Sequence, residues 1–267
     1  MSATSSRYTS KPRRQDISPE RDKGNIPTWA HPEYKYYFPE WKIIRDCCEG
    51  EKDVKGAKEA YLPRLEGMES GEYKVYLHLA CFYNFTGRTA GALVGTLLKK
   101  KPIVDSLPKE LVPRLQTLTQ DSESWDCFIE RATGEYVKMR RYGVLVDLPA
   151  VESSVPNPYL VEYVAEDILD WTEEADPTTG RRRLTRVVLR ECKEVRVLPT
   201  DPCVKVVRYR VLELVDGVYR VSLHAVDSAD ATLQTVPTVT TPTIRGNTFS
   251  YIPFCILGGA RTERRLS

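Results

Sequence analysis

The feature that most constrains the fold is a change of residue pattern near Tyr142. From Tyr34 to about Arg140, apolar residues recur at spacings of three and four, which is typical of helices packed on one face. From Tyr142 onward, short valine-rich runs alternate apolar and polar residues and end at turn residues, which is typical of strands. Helices followed by strands predict an α+β fold in which an N-terminal helical region precedes a mostly antiparallel β-sheet region.

Five helical pieces are expected before that change. "PEWKIIRDCCEG" predicts a helix with Pro39 near its start and Gly50 at its end, and "EKDVKGAKEAYL" predicts a second one. A long third helix is expected after Ser70, a suitable N-cap, and a break near Asn84 stays open. "PKELVPRLQTL" and "SWDCFIERATGEYVKMR" predict the last two pieces, the second capped by residue 121 or 122.

The strands are expected at "YGVLVDLP", "PYLVEYV", "RLTRVVLRE", "VKVVRYRVLELV" and "VYRVSLHAV". Asp216-Gly217 separates the last two runs and predicts a tight hairpin, because both turn positions favour residues that tolerate positive φ. The threonine- and proline-rich stretch 230–248 predicts a loop or an edge strand, and "SYIPFCILGG" is a last apolar run.

Composition sets the domain organisation and excludes several classes of function. The chain has 267 residues and a net charge of only +2, so its overall charge makes no case for nucleic-acid binding. Seven cysteines without a C-x-x-C pair argue against a zinc site, and no apolar run is long enough to span a membrane. We expect a disordered basic arm at 1–27, a helical part at 28–141 and a β-rich part at 142–267.

The segment "FTGRTAGALVGTLLKKKP" places Gly87, Gly91 and Gly95 four residues apart. It lacks the strand and the lysine spacing of a phosphate-binding loop. Each glycine inside a helix costs about 1 kcal/mol relative to alanine, so a compensating interaction is expected. We predict that the three glycines let another backbone approach closely, and that this backbone belongs either to the same chain or to a neighbouring subunit.

Two other groups of residues are candidates for function. Glu191 and Lys193 form an E-x-K pair on an expected strand, as in metal-dependent nucleases, although the upstream Asp176-Pro177 has the reverse of the usual order. The densest basic cluster comprises Arg181, Arg182 and Arg183, which are suited to a DNA phosphate or an acidic partner, or to a solvated turn. No other catalytic motif is present, and no cofactor or metal is predicted.

Several long stretches together resemble a known family. They are "HPEYKYYFPEWKIIRDCCEGEKDVKGAKEAYLPRLEGM", "YNFTGRTAGALVGTLLKKKP", "YGVLVDLP", "NPYLVEYVAEDILDW", "LTRVVLRE" and "YRVLELVDGVY". In this order, from about Pro27 to Gly259, they resemble a portal protein of tailed bacteriophages, of a type often catalogued as a phage protein of unknown function.

The resemblance implies a non-catalytic ring, usually a dodecamer, at one vertex of the phage head in the virion, assembled in the host cytoplasm. Double-stranded DNA passes through the ring without sequence specificity, and the terminase motor and then head and connector proteins dock on it. The helices and sheet here would then form the peripheral wing. Relatives continue past "IPFCILGGA" into channel helices and a clip, whereas this chain ends in "RTERRLS". We therefore expect a wing portion that is truncated or frameshifted, and that is either part of a split portal or a prophage remnant.

Three hypotheses follow. The chain is a portal protein or its wing portion, a small metal-dependent nuclease that uses Glu191 and Lys193, or a monomeric module that recruits another head protein. Incubation with Mg²⁺ and plasmid distinguishes the second hypothesis from the other two. The molar mass in solution separates the first from the third, since a ring has many times the 30.5 kDa of one chain.

Overall fold

The computed structural model describes residues 30–149, 157–176, 179–195, 204–226 and 237–258. The basic arm expected at 1–27 lies outside this part of the chain. Helices fill the first part of the described chain and antiparallel strands fill the second, so the predicted α+β class is confirmed. The helices are α1 (Pro32–Glu49), α2 (Glu51–Gly56), α3 (Ser70–Leu79), α4 (Phe85–Leu97) and α5 (Trp125–Met139).

The first helix starts earlier than the sequence pattern predicts. His31 caps it by accepting the backbone N–H of Glu33 on Nδ1 at 3.2 Å, and Pro32 occupies the first turn, where its missing N–H costs nothing. The helix runs through Pro39, so the prediction that Pro39 marks its start is wrong. Its predicted end is confirmed, because Gly50 has a φ of 113° that residues with a side chain rarely adopt.

The long third helix is broken into α3 and α4. Asn84 is the N-cap of α4, which confirms the break that the sequence left open. The N-cap of α3 is Glu69 rather than Ser70, and its backbone N–H donates to the Glu72 carboxylate at 2.9 Å.

Two further expectations for the helical half need correction. The segment "PKELVPRLQTL" forms only a 3-10 turn over Val112–Gln116, because its prolines remove the hydrogen-bond donors that a longer helix needs. The cap of α5 is Ser124, whose hydroxyl accepts the N–H of Cys127, and not residue 121 or 122.

The strands form two main sheets. They are β1 (Tyr142–Asp147), β2 (Tyr159–Val164), β3 (Ile168–Ala175), β4 (Arg182–Val195), β5 (Val204–Val215), β6 (Val218–Val226), β7 (Thr238–Thr240), β8 (Thr243–Ile244), β9 (Asn247–Thr248) and β10 (Phe254–Leu257). One sheet has the order β10-β1-β2 and the other β3-β4-β5-β6-β7, while β8 and β9 form a small hairpin. The predicted tight turn between β5 and β6 is confirmed, with φ of 53° at Asp216 and 76° at Gly217.

The two main sheets pack against each other around one apolar core. Its buried side chains are Leu145, Tyr163, Ile168, Val187, Leu189, Leu212, Tyr219, Val221, Ile252 and Phe254. A smaller cluster holds α1 against the end of α5, where the Trp41 indole N–H donates to the carbonyl of Met139 at 3.1 Å. The sheets and the α1–α5 pair therefore form the buried body of the described chain, and α3 and α4 contribute little to it.

Candidate functional site

The Glu191 carboxylate, on β4, lies at the centre of a polar cluster between the two sheets. It accepts hydrogen bonds from the Tyr163 hydroxyl at 2.6 Å, from Arg210 Nε at 2.7 Å and from Arg208 Nε. Arg210 also donates through Nη1 to the Asp147 carboxylate of β1 at 2.7 Å. The cluster therefore joins the three-stranded sheet to the five-stranded sheet.

The electrostatics of this cluster do not resemble those of a nuclease site. Burial alone raises the pKa of Glu191, but the charges of Arg210 and Arg208 and the Tyr163 hydrogen bond outweigh it and hold that pKa below its ordinary value. Within the cluster, Arg208 and Arg210 balance the charges of Glu191 and Asp147, so no net negative charge is left to hold a divalent cation. The side chain of Lys193 lies outside the described part of the chain.

The carboxylates upstream of Glu191 are also in ion pairs. Asp167 pairs with Arg190 at 3.0 Å, and Asp170, which is fully buried, lies 3.4 Å from Arg186. Within the residues that the structure describes, no three His, Cys, Asp or Glu side chains are placed to hold one metal ion. The geometry therefore brings together a structural ion-pair network around Glu191.

A second ion-pair cluster fixes α1 to the body of the protein. Arg45 donates to Glu135 of α5 at 2.7 and 3.0 Å, and to Glu166 of the 3-10 turn after β2 at 2.8 and 2.9 Å. Burial disfavours the charge on Arg45, but the two carboxylates outweigh it and raise its pKa. Because the three side chains come from three separate elements, this cluster sets the position of the helices on the sheets. Sequence reasoning missed it, since none of the spacings suggests it.

The predicted arginine cluster lies at the end of the β3–β4 hairpin. Arg181 and Arg182 are exposed, and no partner for either side chain is found among the described residues. Arg183 is half-buried and pairs with the Asp176 carboxylate at 3.2 Å, so it helps to hold the hairpin end together. Two of the three predicted arginines are thus free to contact a phosphate or an acidic partner.

The three glycines of α4 have different environments. A Cβ at residue 87 would lie 2.6 Å from the Asn84 side chain, whereas a Cβ at Gly91 or Gly95 would meet nothing within 4 Å. Gly91 and Gly95 therefore make no close helix contact within the described chain. Contact with a neighbouring subunit stays a prediction for these two positions.

Gly91 and Gly95 face an open groove. It lies between α4, α5 and the end of α1, has a volume of about 660 Å³, and reaches Gly134 and Cys48 on its other walls. The Lys101–Asp126 ion pair crosses from the segment after α4 to the start of α5 at one end of the groove.

The region around α4 is the least covered part of the described chain. No side chain is buried from residue 74 to residue 118, and α4 itself contains no buried residue. Nine of the sixteen exposed large hydrophobic residues in the described chain belong to this stretch. They are Val75, Leu79, Tyr83, Phe85, Leu93, Leu97, Ile103, Leu111 and Val112. Apolar exposure of this extent and density marks an interaction surface more often than a solvated face.

Comparisons with known proteins do not extend these observations. No family model and no curated protein matches the chain. Among the described helices, none is both long enough and apolar enough to cross a lipid bilayer.

Proposed function

We propose that the chain is a structural subunit of a phage portal ring, or the wing portion of one, and that it acts by enclosing DNA rather than by catalysis. The observation that carries this proposal is the uncovered stretch from residue 74 to residue 118, with its nine exposed large hydrophobic side chains. An exposed apolar surface of this kind lowers the solubility of a free monomer. Association with another protein surface buries these side chains and removes that effect.

The polar clusters support an architectural role as well. The Glu191 and Arg45 clusters connect elements that are distant in sequence, and their carboxylates are held by arginines. Such clusters fix the relative positions of the sheets and helices, which a subunit needs if its neighbours are to meet it at a constant angle. The arginines at the β3–β4 hairpin end, Arg181 and Arg182, are free to contact the DNA backbone without reading its sequence.

The experiment that tests the proposal is a measurement of particle mass and shape. Light scattering on the purified chain is expected to give a mass many times 30.5 kDa, and electron microscopy is expected to show closed rings with a central channel. A chain that stays at 30.5 kDa at every concentration contradicts the ring and favours a monomeric binding module. Among the described residues, no observation favours the nuclease hypothesis, because the Glu191 carboxylate that it needs is bound by Arg208 and Arg210.

A further inference from the structure

Strand β10 forms one edge of the three-stranded sheet and bonds to β1 through every second residue. The Val146 N–H donates to the carbonyl of Pro253 at 2.9 Å, and in the same register Val144 lies opposite Cys255. Hydrogen-bonded and non-hydrogen-bonded pairs alternate along an antiparallel ladder. The backbone groups of Cys255 and Leu257 therefore point to β1.

The intervening residues of β10 point their backbone groups to the outer edge of the sheet. These residues are Phe254 and Ile256, which occupy the non-hydrogen-bonded positions of the ladder. Among the described residues, no backbone group bonds to their N–H or C=O on that side. Two donors and two acceptors are therefore left for water or for a partner.

The other edges of the two main sheets are covered, charged or shorter. At the β2 edge, Leu160 exchanges backbone hydrogen bonds with Leu118 and Gln120, at 2.9 and 3.0 Å. Strand β3 carries Glu173 and Glu174, and β7 is only three residues long. Covering segments, charges and short strands are the devices by which proteins prevent unwanted strand pairing. Within the described sheets, the β10 edge has neither a charge nor a covering segment.

The side chains of β10 are apolar on both faces of the sheet. Its sequence is FCIL, in which Phe254 and Ile256 pack into the core between the sheets. Cys255 and Leu257 are exposed on the opposite face, where Val146 of the neighbouring strand is exposed as well. A strand added beside β10 therefore meets apolar neighbours on either face.

The pattern of backbone groups indicates what kind of partner fits this edge. A donor and an acceptor on every second residue match the backbone of another extended segment, whereas a helix uses its backbone groups internally. DNA phosphates accept hydrogen bonds but donate none, and β10 has no basic side chain to attract them. A second copy of this chain could offer only its own β10, because its other edges are covered, charged or shorter.

We propose that the β10 edge binds an extended segment of a different protein, which adds to the sheet as a fourth strand. The backbone hydrogen bonds supply the affinity, and apolar residues at every second position of the segment supply the specificity. The inference goes beyond the proposed function and does not depend on it, because the β10 edge is open in the single chain.

The first test measures hydrogen exchange along β10 in the protein alone. The amides of Cys255 and Leu257 are expected to exchange more slowly than those of Phe254 and Ile256, because only the first two donate to β1. Mass spectrometry with fragmentation to single residues measures this difference. Equal protection of all four amides would show that the edge is already covered, and the inference would be wrong.

The second test screens a library of random short peptides, displayed on yeast, for binding to the protein. Enriched peptides are expected to carry apolar residues at every second position and, as free peptides, to slow the exchange of the Phe254 and Ile256 amides. If no peptide is enriched, or if the enriched peptides leave these two amides unchanged, the β10 edge is not a strand-binding site.

The third test protects the edge with charge. Cys255→Lys/Leu257→Lys changes two exposed side chains and is expected to weaken binding of the selected peptide at least about tenfold, since lysines on an edge strand oppose strand addition. The matched control is Thr238→Lys/Thr240→Lys, which places the same charges at the same spacing on exposed positions of β7 and is expected to bind as the wild type does. Circular dichroism checks that both variants keep the fold.

Two outcomes of the third test contradict the inference. Equal weakening by both double variants would show that added charge acts at a distance and that the peptide does not bind at β10. Light scattering that finds two-chain particles of the wild type, which Cys255→Lys/Leu257→Lys dissociates, would show that a second copy covers the edge instead of a different protein.

Discussion

Asn84 and Gly87 are joined by a hydrogen bond in which the Asn84 side-chain oxygen accepts the backbone N–H of Gly87 at 2.7 Å. The amide nitrogen of Asn84 donates to the carbonyl of Cys48 at 3.0 Å, so one side chain both caps α4 and ties it to the end of α1. A Cβ on residue 87 would lie 2.6 Å from the same Asn84 oxygen. A side chain at residue 87 would therefore displace the Asn84 side chain from this geometry.

The three glycines of α4 are expected to respond differently to alanine. Gly91→Ala and Gly95→Ala are each expected to stabilise the dissociated chain by up to about 1 kcal/mol, because alanine favours the helix and the new methyl group meets open space. Gly87→Ala is expected to bring no net gain, because the loss of the N-cap costs about 1 kcal/mol and offsets the same helix preference. Urea unfolding at low protein concentration measures all three changes, and equal gains for Gly87→Ala and Gly91→Ala would contradict this account.

The part of the fold that the sequence predicts is the part that local chemistry determines. Asp216-Gly217 specifies its turn whatever lies around it, and "SWDCFIERATGEYVKMR" carries the period of α5, although the cap is Ser124 and not the predicted residue 121 or 122. Strand β3 was not predicted, because three acidic residues in "ILDWTEEA" weaken the alternation and its partners on β4 come later in the chain. The apolar spacing of "PKELVPRLQTL" predicts a helix, but the prolines limit the segment to a 3-10 turn over Val112–Gln116.

The candidate sites show the same division between features that local sequence determines and features that only tertiary contacts determine. The exposure of Arg181 and Arg182 follows from residue type and position near a turn alone, whereas the close approach predicted for Gly91 and Gly95 stays a prediction. The role of Glu191 does not, since its hydrogen-bond partners Tyr163 and Arg210 lie on other strands and only the sheet packing brings them together. Tertiary contacts place the carboxylate that the nuclease hypothesis would use at the centre of an ion-pair cluster.

The free arginines at the β3–β4 hairpin end are expected to contribute to DNA retention. Arg181→Ala/Arg182→Ala is expected to lower the affinity of the chain for double-stranded DNA equally for all sequences, and to reduce the slope of log affinity against log salt by up to about 2, since each phosphate contact contributes about 0.9. The variant leaves the Arg183–Asp176 ion pair intact. Fluorescence anisotropy over a range of salt concentrations measures both effects.

The control for that measurement removes the same charge elsewhere. Arg220→Ala/Arg245→Ala changes two exposed arginines on β6 and in the β8–β9 turn, away from the β3–β4 hairpin end. An equal reduction of the salt slope by both double variants would show that the DNA contact is not localised at Arg181 and Arg182.

Glu191 is expected to act on stability and not on DNA cleavage. Glu191→Gln leaves Arg208 without a charged partner and leaves Arg210 with only Asp147 at the junction of the sheets, so a loss of about 2–4 kcal/mol in the free energy of unfolding is expected. Plasmid incubated with the wild type and Mg²⁺ is expected to stay intact. Cleavage that Glu191→Gln abolishes, in a variant that remains folded, would establish the nuclease hypothesis instead.

The Arg45 cluster is expected to make stability depend on pH in acid. Burial alone raises the pKa of Glu135, but the hydrogen bonds and charges of Arg45 and Lys138 outweigh it and hold that pKa below its ordinary value of about 4.3. A carboxylate with a lowered folded-state pKa stabilises the protein above its unfolded pKa, and this contribution is lost as the pH falls through the folded value. Wild-type stability should therefore decline below about pH 4.

The variant Glu135→Gln separates this contribution from the rest. At pH 7 it is expected to lose about 1–3 kcal/mol, since Arg45 keeps its bonds to Glu166 but loses a charged acceptor. As the pH falls from 5 to 3, the difference between variant and wild type should shrink, because the wild-type carboxylate becomes protonated and resembles the amide. Glu51→Gln, at an exposed pair with Lys55, is the matched control and is expected to cost at most about 0.5 kcal/mol at any pH. A difference for Glu135→Gln that stays constant over this range would show that the lost stability comes from packing and not from the charge.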